Sequence, residues 1–133
     1  MAITKRDGRQ EVKFAYVDIN LADITTAVAA GAIDLPQNAE VVGGYAVVKE
    51  VFNSTSSDVL DIGDSGSANR YKNDVNLQAL GLTALVPTGY VYTAPTTVTV
   101  TWVSGGGVPT TRKVRLGLQY VVHGRSTSTQ TNA

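Results

Sequence analysis

His123 is the chain's one imidazole, and there is no cysteine. A catalytic site needs a nucleophile or base and a group that orients it. His123 is the candidate base whose ordinary pKa lies near neutrality. It follows the last apolar alternation and stands beside Gly124 and a polar tail, the position of a surface residue at a strand end. With one His and no Cys, neither a structural zinc site nor a two-His metal centre can be built within one chain. The sequence holds no GxSxG, HExxH or P-loop motif, and the triple glycine Gly105, Gly106 and Gly107 lacks the Lys-Ser/Thr a phosphate cradle needs. No catalytic residue and no cofactor is expected.

Oxygen ligands are more plentiful. Asp58, Asp61, Asp64, Ser65, Ser67, Asn69 and Asp74 crowd the middle of the chain. Asp61, Asp64 and Asn69 are the hard donors that Ca²⁺ collects, but the spacing is not that of an EF-hand and no closing Glu follows. The same residue types cap their own loop backbone in Asx-turns, and that reading leaves no metal site. Trp102 and the six tyrosines raise a third chemistry, stacking on sugar rings. Tyr90 and Tyr92, near a turn, are the candidates for exposure, whereas aromatics at alternate strand positions belong to a core.

Charge points to the ends. The chain of 133 residues carries 11 basic and 11 acidic side chains. A zero balance argues against nucleic acid as a partner. The body is acidic and both ends are basic, so Lys5, Arg6, Arg9 and Arg125 are the candidate partner-binding residues, for an acidic surface. The N-terminus has no apolar signal core and no apolar run approaches 18 residues, so a soluble chain with no membrane partner is expected.

The elements that must position these groups are strands. There are 19 Val and 16 Thr, residues stiff at χ1 that suit a pleated surface. Residues 11–19 alternate, with Val12, Phe14 and Tyr16 on one face. Residues 40–52 form the longest run, and Gly43-Gly44 inside it predicts a bulge or a close crossing. Asp58 to Ile62 restarts a strand, expected to form a hairpin with the one before. In 96–103, Val98, Val100 and Trp102 share an inward face and Thr97, Thr99 and Thr101 a wet one. In 113–122, Val114, Leu116, Leu118 and Tyr120 point inward, and these last two runs read as a closing hairpin. Asp23 as an N-cap with Ala27, Ala29 and Ala30 behind it predicts at most one short helix near 23–31. Seven or eight short strands with frequent turns make an all-β, antiparallel β-sandwich or jelly roll. Residues 10–124 form that domain, between an N-terminal arm (1–9) and a C-terminal tail (125–133) with no apolar face to bury.

Certain short motifs add a resemblance. Ile33-Asp34-Leu35-Pro36, Ala39-Glu40-Val41-Val42, Glu50-Val51-Phe52-Asn53, Asp61-Ile62-Gly63-Asp64, Asn69-Arg70-Tyr71 and Leu80-Gly81 follow one another in the layout of small structural proteins of tailed bacteriophages. The chain resembles their head decoration, or cement, proteins over 33–81, and over 96–122 by strand pattern. It departs from them at Gln37-Asn38, where a Gly is more usual. The resemblance implies a non-enzymatic virion protein, made in the host cytoplasm and carried on the capsid surface. Its partners would be the major capsid protein and further copies of itself, as a dimer or trimer. The other reading is a receptor- or glycan-binding β-sandwich module of a virion tail or fibre, resting on Tyr90, Tyr92 and the 61–74 loop.

Overall fold

The alternating Val- and Thr-rich runs form eight strands in a computed structural model that describes residues 10–107, 109–110 and 112–124. In chain order these are β1 (Lys13–Asn20), β2 (Ala29–Leu35), β3 (Ala39–Glu50), β4 (Asp58–Gly63), β5 (Lys72–Asn76), β6 (Gly81–Ala84), β7 (Thr96–Ser104) and β8 (Lys113–Val122). They make two four-stranded sheets, ordered β1-β8-β3-β6 and β2-β7-β4-β5, with every pairing antiparallel.

The partners β1–β8, β2–β7, β3–β6 and β4–β5 are those of one long hairpin rolled up on itself. That is the jelly roll, with β3–β8 and β4–β7 closing each sheet. Only β4–β5 pairs strands adjacent in sequence. The two hairpins expected from sequence are therefore absent: β3 and β4 lie in different sheets, and so do β7 and β8. Alternation places both members of each pair against the core, but it is satisfied equally by strands that face each other across it.

The core fills the space between the sheets. Val41, Ala46, Val48, Val114, Leu116 and Leu118 enter from one side, and Leu60, Ile62, Val98, Val100 and Trp102 from the other. The expected inward faces of 96–103 and 113–122 are observed, except that Tyr120 is half-buried and the Thr face of β7 is half-buried instead of open.

Residues 23–31, where at most one short helix was expected, hold no α-helix: the chain turns at Thr25–Val28, with Ala27 at φ 62°, and is extended from Ala29. A single 3₁₀ turn covers Leu21–Asp23, and Asp23 closes it by accepting from the Asn20 N–H at 2.7 Å. From Ala29 onward the chain pairs with β7, burying Ile33 and Leu35. Tertiary pairing overrides the weak helical preference of three alanines interrupted by Thr25, Thr26 and Val28.

The glycine pair in β3 does both things expected of it. The register shifts between Val41 and Gly43, and a Cβ on Gly44 (φ 139°) would lie within 2.2 Å of the Gly117 carbonyl oxygen. No helix among the described residues is long and apolar enough to cross a membrane.

Candidate functional site

His123 sits just beyond β8. Its Nε2 lies 2.6 Å from Glu40 Oε1, and the His123 backbone N–H donates to the Asn38 carbonyl at 2.9 Å. No hydroxyl among the described residues is hydrogen-bonded to this imidazole, so the pair ties the end of β8 to β3 and presents no nucleophile.

The acidic loop folds around Asp64, which is buried. One carboxylate oxygen accepts from the N–H groups of Gly66 and Ser67, both at 2.9 Å. The Arg70 guanidinium binds both oxygens, and the Tyr92 hydroxyl donates to the second at 2.7 Å. Burial pushes the Asp64 carboxyl up, but these donors outweigh it and hold it below the ordinary carboxylate range. Asp61 accepts from the Asp74 N–H at 2.9 Å, and Asn69 from the Ser67 hydroxyl at 3.3 Å. Of the three expected turn caps only Asp64 caps its own loop backbone; Asp61 reaches across to β5 and Asn69 meets a side-chain hydroxyl. Among the described residues no cluster of three His, Cys, Asp or Glu side chains could hold a metal.

The same loop engages both sugar-stacking candidates, and only one of them is exposed as expected. Tyr92 is buried, its hydroxyl shared between Asp64 and Tyr71. Tyr90 packs edge-on against Tyr92, and the Arg70 guanidinium covers its ring at 3.8 Å. Tyr92 is thus closed to a ligand, whereas Tyr90 stays 44% exposed with Arg70 over one face of its ring.

A second buried carboxylate, Asp58, takes the Ser54 hydroxyl at 2.7 Å, the Gln78 amide at 2.8 Å and the Trp102 indole N–H at 2.8 Å. Burial raises its pKa and these bonds, with the Ser54 N–H, lower it further than burial raises it. Arg112 lies over the Trp102 ring at 4.1 Å, and both line a cavity of about 450 Å³ together with Thr25, Thr26 and Ser104. Burial lowers the Arg112 pKa, and the charge of Asp58 opposes that shift. Both networks hold loops in place; neither assembles a base, a nucleophile and an open substrate position.

Exposed aromatics gather instead on the outer face of the β1-β8-β3-β6 sheet. Phe14 and Tyr16 are 49% and 58% exposed, and Phe14 packs against Tyr16 and Tyr45 with centroids 6.1 and 5.9 Å apart. Phe14 and Tyr45 crowd Gly117, the register partner of Tyr16, and a Cβ there would meet the Phe14 ring at 2.8 Å. Beside them Arg115 is bonded through two nitrogens to Asp18, at 2.8 and 3.1 Å, and lies 4.7 Å from the Tyr16 ring. The alternation of Phe14 and Tyr16 signals this face in the sequence. That it looks outward is settled by the register with β8, which is not legible there.

Lys5, Arg6, Arg9 and Arg125 lie outside the described residues, as do both proposed end segments.

No family model matches the chain, and no curated protein matches it in sequence. Solved structures do. A chain of the cyanophage Pam1 capsid asymmetric unit aligns over 92% of this chain and 93% of its own, with 25% identity and a TM-score of 0.68. A chain of the acidic stable capsid of Helicobacter pylori bacteriophage KHP30 aligns over 92% and 94%, with 16% identity and a TM-score of 0.66. A chain of the Ralstonia phage GP4 capsid aligns over 92% and 90%, with 18% identity and a TM-score of 0.64. The last two share the fold. The jelly roll of this chain is thus one that three phage capsids contain.

Proposed function

We propose that this protein is a structural component of a phage virion that binds the shell built by the major capsid protein and stabilises it, in the decoration or cement role. The observation that carries this reading is the alignment with a chain of the Pam1 capsid along nearly the full length of both chains, which supports a virion structural role. The buried polar networks around Asp58 and Asp64 serve the loops, which accords with a role that is not enzymatic.

In this reading the protein acts as a homo-oligomer on the capsid surface, with Lys5, Arg6, Arg9 and Arg125 reaching an acidic region of the shell. The test is cosedimentation of the purified protein with empty phage heads that lack it, followed by heating. Saturable binding to heads and a higher rupture temperature are expected. A protein that ignores heads but binds tails or host glycans would overturn the decoration role in favour of a receptor-binding one.

A further inference from the structure

We infer that the outer face of the β1-β8-β3-β6 sheet is the surface through which two copies of this chain associate. The inference deepens the self-association part of the proposed function and rests on it.

The register defines the face row by row. Tyr16, Gly117, Tyr45 and Ala84 lie side by side across the four strands. The next row is Asp18, Arg115, Val47 and Leu82, whose leucine is 63% exposed. The first row carries no charge from edge to edge of the sheet, and the second adds apolar surface at Val47 and Leu82 beside its ion pair. Isolated exposed apolar side chains are ordinary, whereas apolar side chains gathered on one face mark an interaction surface.

Size is the first argument for a second copy. Four strands about 4.8 Å apart and about eight residues long give a face of roughly 500 Å² in projection, before side-chain relief is added. A stable complex buries about 800 Å² of accessible surface per partner, the scale of one sheet laid on another.

Charge is the second. Asp18 is neutralised by Arg115, and Glu50 stands opposite Lys113 in register. Lys49, which also lowers the Asp18 pKa, leaves the face close to neutral. Such a face offers nothing to a strongly acidic or basic partner. It accepts a copy of itself, because a twofold axis brings the same patch against its own image.

Shape is the third. Phe14 and Tyr16 form a ridge along the β1 edge, while the β6 margin is low at Ala84. A twofold axis lying in the face, along the strands between β8 and β3, sets the ridge of one copy over the low margin of the other. Gly117 contributes by letting the Phe14 and Tyr45 rings lie flat, and the bond from Arg115 to Asp18 holds the charged row in one conformation before contact. Little side-chain freedom is then lost on association.

Sedimentation equilibrium of the full chain tests this, with Tyr16→Glu and Leu82→Glu on opposite margins of the face and Val103→Glu on the other sheet as the control. The wild type and V103E should associate alike. Y16E and L82E should each weaken association at least about tenfold, with melting temperatures near the wild type because both side chains are more than half exposed. Association unchanged in either folded variant overturns the assignment of the face and leaves self-association standing. A wild type that stays monomeric at high micromolar concentration overturns the inference itself; cosedimentation of that monomer with heads would preserve the shell-binding reading. A monomer whose head binding is lost in Y16E and L82E would transfer the face to the shell contact, which also overturns it.

Discussion

The Trp102 indole N–H donates to Asp58 Oδ1 at 2.8 Å, tying the middle of the core to the first residue of β4. The same carboxylate gathers Ser54 and Gln78, so it organises the crossover that carries the chain from one sheet to the other. Phe52 packs on the indole with centroids 6.0 Å apart. Trp102→Ala should therefore lower stability by about 3–5 kcal/mol through lost packing. Trp102→Phe keeps most of the ring but removes a donor to a buried carboxylate, and should cost about 1–3 kcal/mol. Urea unfolding followed by far-UV circular dichroism checks the order wild type, W102F, W102A.

Acid should weaken the fold through Asp58 and Asp64. Burial raises both carboxyls, but their hydrogen-bond donors hold each below the ordinary value of 3.8. The unfolded chain thus binds protons at a higher pH than the native one. The stabilisation is fully present above the unfolded value and is lost as pH falls below it, through the lower native value. The urea midpoint should be flat near neutrality and drop below about pH 4. Asp58→Asn and Asp64→Asn should each lower the midpoint at pH 7 and flatten the acid limb. An unchanged acid limb in both variants would assign the loss to other carboxylates.

Much of this architecture is legible in the sequence, and the parts that are not share a cause. Val98, Val100 and Trp102 announce an inward face because burial has period two along a strand. Which strands pair is a different question. In a rolled hairpin β7 finds its partners in β2 and β4, about 40 to 70 residues away, and nothing in Thr96 to Ser104 encodes them. The stretch from Ile24 to Gly31 is equally hard to read locally, since pairing with β7, including the Ala27 N–H to the Trp102 carbonyl, decides its conformation. At the site level, Asp64 is readable as a turn cap because the Gly66 and Ser67 N–H groups it takes are local, whereas the Asp61 bond to the Asp74 N–H depends on the pairing of β4 with β5. The burial of Tyr92 is not readable, because the carboxylate that draws its hydroxyl inward lies 28 residues earlier.

Calcium should not stabilise the protein. Asp64 already accepts from two backbone N–H groups, Arg70 and Tyr92, and Asp61 from the Asp74 backbone. A specific ion would raise the melting temperature with concentration by mass action. Differential scanning fluorimetry with EDTA and with millimolar Ca²⁺ should give the same midpoint, while Asp64→Ala lowers it in both. A rise with Ca²⁺ that Asp64→Ala removes would replace the turn caps with a metal site.

Gly44 should be among the least replaceable residues in the sheet. Its φ of 139° disfavours any side chain, and a Cβ would strike the backbone of β8. Gly44→Ala must therefore push apart the β3 and β8 strands, at a cost of several kcal/mol by the combined strain and lost pairing. Gly81 has a similar φ of 134° but open space around a Cβ, so Gly81→Ala carries only the backbone term. Thermal melts should rank G44A well below G81A, and equal midpoints would exclude steric contact with Gly117 as the cause.

The basic ends should matter to binding more than to folding. Segments 1–9 and 125–133 carry Lys5, Arg6, Arg9 and Arg125 against a single acid, Asp7. The strands and core described above are complete without them: β1 begins at Lys13 and β8 ends at Val122. Ordering a polar segment costs about 1–2 kcal/mol per residue, so contacts with a partner must offset it. In the proposed reading the shell surface is acidic, and because residues 10–124 are also net acidic, the attraction would come from the ends. That attraction between exposed charges weakens with salt, being screened beyond about 8 Å at physiological ionic strength. A chain trimmed to residues 10–124 should melt near the full-length temperature and bind empty heads more weakly at low salt. At high salt the two should converge as the electrostatic advantage disappears. Head occupancy by both proteins, measured by cosedimentation at the two salt concentrations, decides the matter. Equal occupancy at low salt would remove the ends from the shell contact and place it on the sheet faces or loop tips.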